Sequence, residues 1–370
     1  MQDVVENAKN EGASTMPQSS STEKDIDKDL KELIEQRQTE IRVVGSGGAG
    51  NNTITRLMQV GITGAETVAL NTDAQDLLYA DADKKVLIGR ELTGGLGAGA
   101  DPSVGQESAK ENKDQIKKAL EGSDMVFITC GLGGGTGTGS APVVAEIAKK
   151  LGALTVGIVT LPFKMEGMQR EENAKRGLDR LEAVVDTLIV IPNDKLLEIV
   201  PDVSLNTAFK IADEILVNAV KGVTELVTKP GLVNLDFADI RAVMGEGGIA
   251  MIGMGQSDTE NRAKEAVQKS LTNPLLDVEI DGGDGALVNV SGGSDLSLQE
   301  AQKVVNTVSE KLDPSAKVIW GAQVQKELEN SLRAMIIVTG VQSPQIFGPE
   351  QSYKEEYTKE IEQELGIEFV

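Results

Sequence analysis

The sequence predicts an α/β fold built on a parallel sheet, and three observations carry that expectation. Six short apolar runs, Ile41–Val44, Thr67–Leu70, Lys85–Ile88, Met125–Cys130, Leu154–Thr160 and Thr187–Ile191, alternate with helical stretches. They are rich in Val, Ile, Leu and Thr without two-residue alternation, which is how strands buried on both faces read. Glycine-rich stretches follow three of the runs, at the edge where open parallel sheets bind ligands.

The elements follow in order. Residues 1–25 are polar and rich in Ser, Thr and Gln, and Ile26, Leu30, Leu33 and Ile34 then mark one face of a short helix. Together they form an extension over 1–39. Helices are expected near 51–60, 104–120, 140–150 and 167–184, between the strands of a first domain over 40–203. Leu205–Val227 has no Pro and one Gly, and its stripe of Phe209, Ile211, Ala212, Ile215, Leu216, Ala219 and Val220 predicts one long, largely buried helix. This linking helix (204–230) is stopped by Lys229-Pro230-Gly231. Strand runs at Ile249–Gly253, Gly285–Val290, Lys317–Trp320 and Arg333–Gly340 then mix with helices near 259–270 and 297–310. They predict a smaller α+β domain over 231–343. In the tail, 344–370, the segment Glu350–Val370 holds seven Glu and two Lys and closes on Leu365-Gly366-Ile367-Glu368-Phe369-Val370.

Composition narrows function. The 370 residues carry 36 Lys+Arg and 58 Asp+Glu, a formal charge of −22, with one Cys and no His. Broad binding to nucleic-acid phosphates needs clustered cations, so no nucleic-acid partner is expected. A single Cys excludes an intrachain disulfide framework, and the lack of His excludes a Ser-His-Asp triad. No run approaches the roughly 18 apolar residues of a membrane span, so no insertion into lipid is expected. Met1–Asn10 lacks the apolar stretch of a signal peptide, which makes the cytoplasm the expected compartment.

The chemistry lies in the loops. Gly45-Ser46-Gly47-Gly48-Ala49-Gly50 fits G-x-G-x-x-G between a strand and a helix, where backbone N–H groups and the helix dipole can hold a phosphate. The alternative is a close-packed turn with no ligand. Gly131-Leu132-Gly133-Gly134-Gly135-Thr136-Gly137-Thr138-Gly139-Ser140 has six Gly in ten residues. It is read as an anion nest before a helix opening at Ala141-Pro142, with the proline in the first turn. Gly94–Pro102, after the Lys85–Ile88 run, is the third stretch. Three loops suit a triphosphate. No G-x-x-x-x-G-K-[ST] occurs and no lysine lies in the loops, so a metal is expected, Mg²⁺ held mainly through phosphate oxygens and water with no protein ligand set.

Gly133–Gly139, Gly-Gly-Gly-Thr-Gly-Thr-Gly, matches the tubulin-superfamily signature, and the run from Ile41 to about Val341 resembles the FtsZ family. Asn71-Thr72-Asp73, Leu161-Pro162-Phe163, Ile191-Pro192-Asn193-Asp194 and Asn234–Asp239 fit in order, and Val338–Pro344 resembles archaeal members. Ser46 stands where Cys is common and Asp101 where Asn is common. The resemblance implies a Rossmann-like GTPase domain binding GTP and GDP. Gly47, Gly48, Asn51 and Asn52 would meet the α/β-phosphates. Gly134, Gly135, Thr136, Gly137 and Thr138 would hold the β/γ-phosphates, with Asp73, Ala98 and Gly99 near the γ-phosphate and metal. Glu166 and Arg170, one helical turn apart, would face the ribose, though such a pair is commonly a surface ion pair. Asn193, Phe209 and Asp213 would choose the base, a carboxylate accepting N1–H and the exocyclic amine of guanine. Against this stands a core Phe beside a solvated Asp.

Asn234, Asp236 and Asp239 read alone as an Asn N-cap with acids in the first turn. The resemblance implies that they enter the nucleotide pocket of the next subunit, where Asp236 and Asp239 position the attacking water. Head-to-tail copies would then form an open filament at a midcell division ring, with membrane-anchor and division proteins reached through the acidic tail. Two rival readings are an NAD(P)-dependent oxidoreductase, with Asp73 as its acidic residue, and a non-hydrolysing GTP-regulated scaffold. Cys130, Trp320 and the methionines read as core.

Overall fold

A computed structural model describes residues 39–199, 204–228, 232–233, 235–245, 247–273 and 283–341. The expected helix at 26–34, the helix stop at 229–231, Asn234 and the tail over 344–370 lie outside the described residues.

Ten strands form one sheet: β1 (Ile41–Ser46), β2 (Ala65–Asn71), β3 (Lys84–Leu87), β4 (Met125–Gly131), β5 (Leu154–Leu161), β6 (Thr187–Pro192), β7 (Gly248–Ser257), β8 (Gly285–Gly292), β9 (Lys317–Val324) and β10 (Leu332–Thr339). Their order is β3-β2-β1-β4-β5-β6-β7-β10-β8-β9. From β3 to β7 every pairing is parallel; β10 then runs antiparallel to both β7 and β8, and β9 is parallel to β8. The helices longer than one turn are α1 (Gly47–Val60), α2 (Ala74–Tyr79), α3 (Pro102–Glu111), α4 (Lys113–Leu120), α5 (Thr136–Lys150), α6 (Met168–Glu182), α7 (Asn193–Ile199), α8 (Leu205–Thr228), α9 (Phe237–Met244), α10 (Arg262–Leu271) and α11 (Leu298–Ser309).

Both faces of the sheet are covered, which explains the missing alternation. Val44, Val126 and Ile128 point into one core with α3–α6, α10 and α11, while Val43, Met125 and Phe127 point into the other with α1, α8 and α9. Each fully buried Val, Leu or Phe contributes about 1.5–3 kcal/mol relative to exposure. Helix α8, 24 residues long and so about 36 Å at 1.5 Å per residue, lays Leu216, Val220 and Val223 across the second core.

Four local expectations are corrected. The helix expected over 104–120 is two, parted at Asn112, whose side-chain Oδ1 accepts the Gly89 N–H at 2.7 Å. Helix α5 starts at Thr136 rather than Ala141, so Pro142 sits inside it and not in the first turn. Tertiary packing overrides the poor helix propensity of glycine here: a Cβ on Gly139 would lie 2.0 Å from the Pro102 carbonyl oxygen, so α5 and α3 touch backbone to backbone. The N-cap of α9 is Asp236, two residues beyond Asn234. Helices α2 and α7 carry no apolar stripe long enough to register in the sequence.

Candidate nucleotide site

The loop after β1 turns at Gly47, whose φ of +70° is left-handed, a region that disfavours a side chain. Helix α1 begins there with Ser46 as an N-cap that makes no side-chain cap bond. Beside it, the first intrahelical bond of α5 runs from Gly139 N–H to the Gly135 carbonyl at 3.0 Å. The amides of Thr136, Gly137 and Thr138 therefore have no acceptor in their own helix, and the positive end of the α5 dipole faces the same space. Two hydroxyl contacts lock the loops together: Ser46 Oγ to Ser140 Oγ at 2.5 Å and Thr72 Oγ1 to Thr136 Oγ1 at 2.6 Å.

These loops form one end of a cavity of about 660 Å³ at the carboxyl edge of the sheet. That is room for a nucleotide. The far end is built by α8 and the loop after β5. Phe209 is 39% exposed, and its ring is set edge-to-face against buried Phe163, centroids 5.2 Å apart at 82°. Asp213, one turn further along α8, has its pKa raised to about 6, chiefly because burial disfavours the charged form; Thr53, at 3.5 Å, offsets this weakly. Asn193 is 96% buried by its 4% exposure, and its Oδ1 has no hydrogen-bond partner. An orphaned acceptor in a cavity wall is a group that awaits a ligand or water. Between the two ends, Glu166 accepts the Phe163 N–H at 2.9 Å and pairs with Arg170 at 2.5 Å.

Twelve of the expected contact residues line the cavity: Gly47, Gly48, Asn52, Gly134, Gly135, Thr136, Gly137, Glu166, Arg170, Asn193, Phe209 and Asp213. Five do not. Asn51 is buried, donating its amide to Asp76 at 3.0 Å. Asp73 caps α2, accepting the Gln75 and Asp76 N–H groups. Thr138 accepts the Gly133 N–H at 2.9 Å and shapes the signature loop from behind. Ala98 packs under Gly135, and Gly99 lines a neighbouring hollow.

Ser46, Thr160, Pro162 and Lys210 line the cavity without having been expected. Lys210, next to Phe209, is its one lysine; a cation beside an aromatic on the exposed shoulder of a long helix was the available signal. The glycines also divide unexpectedly. Only at Gly134 would a Cβ meet open space; at Gly131, Gly135 and Gly139 it would strike a neighbour at 2.8 Å or less. Most of these glycines let neighbouring protein groups close on the loop.

Asp236 and Asp239 lie elsewhere. Asp236 Oδ1 accepts the Asp239 N–H at 2.8 Å, and Asp239 returns a longer bond of 3.4 Å to the Asp236 N–H, a capping box at the exposed start of α9. Farther along α9, Arg241 reaches the carbonyls of Asp124 and Gly152, just before β4 and β5. Helix α9 is thus docked at the amino edge of the sheet. Seven-residue β4 separates it from the glycine loops by about 20 Å.

A doubly covered parallel sheet, two helix N-termini aimed into one cavity and a far end lined by an aromatic ring and a carboxylate define a nucleotide-binding α/β protein. The Tubulin/FtsZ family GTPase domain matches residues 40–201 and the FtsZ family C-terminal domain matches 248–342. The chain belongs to the Tubulin/FtsZ family and carries its GTPase domain, which implies guanine-nucleotide binding. It is 58% identical over 348 residues to the cell division protein FtsZ of Methanothermobacter thermautotrophicus, covering 94% of this chain and 91% of that one. It is 63% identical over 317 residues to FtsZ 1 of Methanocaldococcus jannaschii, covering 86% and 87%. Among solved structures, an empty FtsZ dimer from M. jannaschii superposes with a TM-score of 0.82 at 62% identity, covering 85% of this chain and 92% of that one. The GTPase match includes Gly45–Gly50, the loop on which the oxidoreductase reading rested.

Proposed function

We propose that the chain is a cell-division GTPase that assembles head to tail and hydrolyses GTP where two copies meet. One observation carries this reading: the cavity and the acidic cap of α9 occupy opposite edges of one sheet. Asp236 and Asp239 cannot reach the cavity of their own chain, but a second copy stacked along the strand direction presents them to it. The contact is heterologous and open-ended, so repetition gives a filament.

In the cavity, the free amides of Thr136 and Gly137 and the turn at Gly47–Gly48 cradle the phosphates. Asn52 and Gly134–Gly135 complete that cradle. Phe209 stacks on the base while Asp213 accepts two N–H groups of guanine, and the unpartnered Oδ1 of Asn193 supplies a further contact. Glu166 and Arg170 face the ribose. Asp236 and Asp239 of the neighbouring copy, with Asn234 beside them, orient the water; carboxylates so near a polyphosphate act through that water rather than by touching phosphate. The described residues hold no cluster of three or more carboxylate or thiol ligands. Mg²⁺ would be held by phosphate oxygens and water, supplying charge neutralisation. Asp73, Asn51, Thr138, Ala98 and Gly99 support the loops from behind. Other division or membrane-anchor proteins engage the acidic tail, and the ring at midcell is the expected location.

GTP turnover measured over a protein-concentration series, with Asp239→Ala alongside, tests the reading. A threshold followed by a linear rise, lost in the variant, is expected. Turnover proportional to protein from zero would give each chain a complete site of its own. GTP binding without turnover would favour the regulated scaffold.

A further inference from the structure

Strand β3 forms one edge of the ten-stranded sheet. The Ile88 N–H bonds to the Asn71 carbonyl at 2.9 Å. Parallel ladders alternate direction residue by residue, so the N–H and C=O groups of Lys85 and Leu87 face away from β2. Beside this edge runs a groove of about 550 Å³ lined by Lys84, Lys85, Arg90, Lys118, Gln115 and Ala119, among others, and by no carboxylate. That is unusual in a chain of charge −22. Lys84 shares Glu66 with Arg42, while Arg90 and Lys118 have no ion-pair partner among the described residues.

The two faces of the edge differ. Lys84 lies on the same face as Val86 and α4, with Lys118. On the other face Leu87 packs toward Leu77 and Ala80, and Leu78 and Tyr79 are 70% and 77% exposed. The Lys85 Nζ donates to the Leu78 carbonyl at 2.9 Å and ties this apolar shoulder to the strand.

A strand that fits this edge would be acidic on one side and apolar on the other. Within residues 360–369, Glu occupies 360, 362, 364 and 368, while Ile361, Leu365, Ile367 and Phe369 occupy alternate positions. That two-residue period is the signature of a two-faced strand. We propose that Glu360–Phe369 docks on the edge of β3 of its own chain as an eleventh strand. Glu360, Glu362 and Glu364 face Lys84 and Lys118, and Ile361, Leu365 and Ile367 cover Leu78, Tyr79 and Leu87. Lysines on an edge strand repel a second copy of the same edge, yet attract an acidic strand. The reach suffices: 18 residues separate Val341 from Glu360 and extend to about 60 Å, whereas β3 and β10 are seven strand spacings apart, about 34 Å. While docked, the segment is withheld from any partner that binds it.

Amide hydrogen exchange on the full-length chain tests this, at two protein concentrations and low salt. Lys85 and Leu87 amides are expected to exchange about tenfold faster or more in Glu360→Lys/Glu362→Lys/Glu364→Lys than in the unaltered chain. Adding Lys84→Glu/Lys118→Glu is expected to restore the protection, and the amides of β4 report in the same spectra that the fold is kept. Unchanged β3 exchange in the triple variant overturns the proposal. So does protection of 360–369 without protection of β3. Protection that rises with protein concentration would give the strand to a second copy and overturn docking within the chain.

Discussion

The two edges of the parallel sheet solve different problems. At the carboxyl edge the cavity is made mostly of backbone, held by close contacts between Gly139 and Pro102 and by paired hydroxyls, with amides and the Asn193 carbonyl oxygen left without partners. At the amino edge the relevant groups are two exposed carboxylates, each already bonded to the other residue's N–H. The first edge is closely packed and incomplete; the second is locally satisfied. An incomplete surface facing a satisfied one, on opposite ends of a molecule, suits a reaction finished only by association.

The largest expected effect breaks the amino edge alone. Asp239→Asn should lower kcat by about 10²–10⁴-fold, the usual share of a positioned acid–base or water-orienting group, with GTP affinity unchanged in equilibrium binding. Equal losses in affinity and turnover would place Asp239 inside its own cavity.

Next comes the carboxyl edge. Gly139→Ala should destabilise the fold by about 1–3 kcal/mol or more, because its Cβ would overlap the backbone of α3. Gly134→Ala meets no atom within 4 Å, so it should leave the melting temperature unchanged while weakening nucleotide binding. Thermal melts of both variants decide whether the loop's glycines divide between packing and ligand.

Asp213→Asn should weaken GTP by about 1.5–3 kcal/mol, the loss of hydrogen bonds to a charged acceptor. The pH dependence has a definite sign. The folded pKa is raised by burial to about 6 from the model-peptide value of 3.8. The stability cost of this buried charge is therefore full above about pH 6 and relieved as pH falls toward 3.8. Guanine needs the carboxylate, so affinity should rise as pH increases through 6 and stay flat in the asparagine variant. A flat profile in the unaltered chain would remove Asp213 from base reading.

The smallest effect is at Phe209. Phe209→Leu keeps apolar area but removes the ring proposed to stack on the base, an aromatic contact worth about 0.5–1.5 kcal/mol, and isothermal titration with GDP should show a loss of that size.

Much of this is legible in the sequence. All six apolar runs between Ile41 and Ile191 became strands, and Leu205–Val227 became α8 with one residue added. Strands buried on both faces and a stripe on a long helix are local patterns, and local patterns survive in sequence. The cavity was legible in outline because glycine loops between strands and helices have few other uses. Which glycine stands open to the cavity was not, since Gly134 and Gly139 are chemically identical and differ only in what approaches them. The backbone contacts of Asp73 and Thr138 were hidden for the same reason: a carboxylate or hydroxyl in a loop can serve ligand or backbone, and here each accepts a backbone N–H.

The sequence by itself determined the order of elements, the two-faced burial of the sheet and the glycine-rich loops between strands and helices, because each is written in the periodicity or composition of neighbouring residues. Only the tertiary structure decided that Pro142 sits inside a helix, that Asp236 rather than Asn234 caps α9, and that the acidic cap and the cavity lie at opposite edges of one sheet. Those outcomes depend on contacts between residues far apart in the chain, such as Gly139 against Pro102 and Arg241 against Asp124, and no short window of sequence contains both partners.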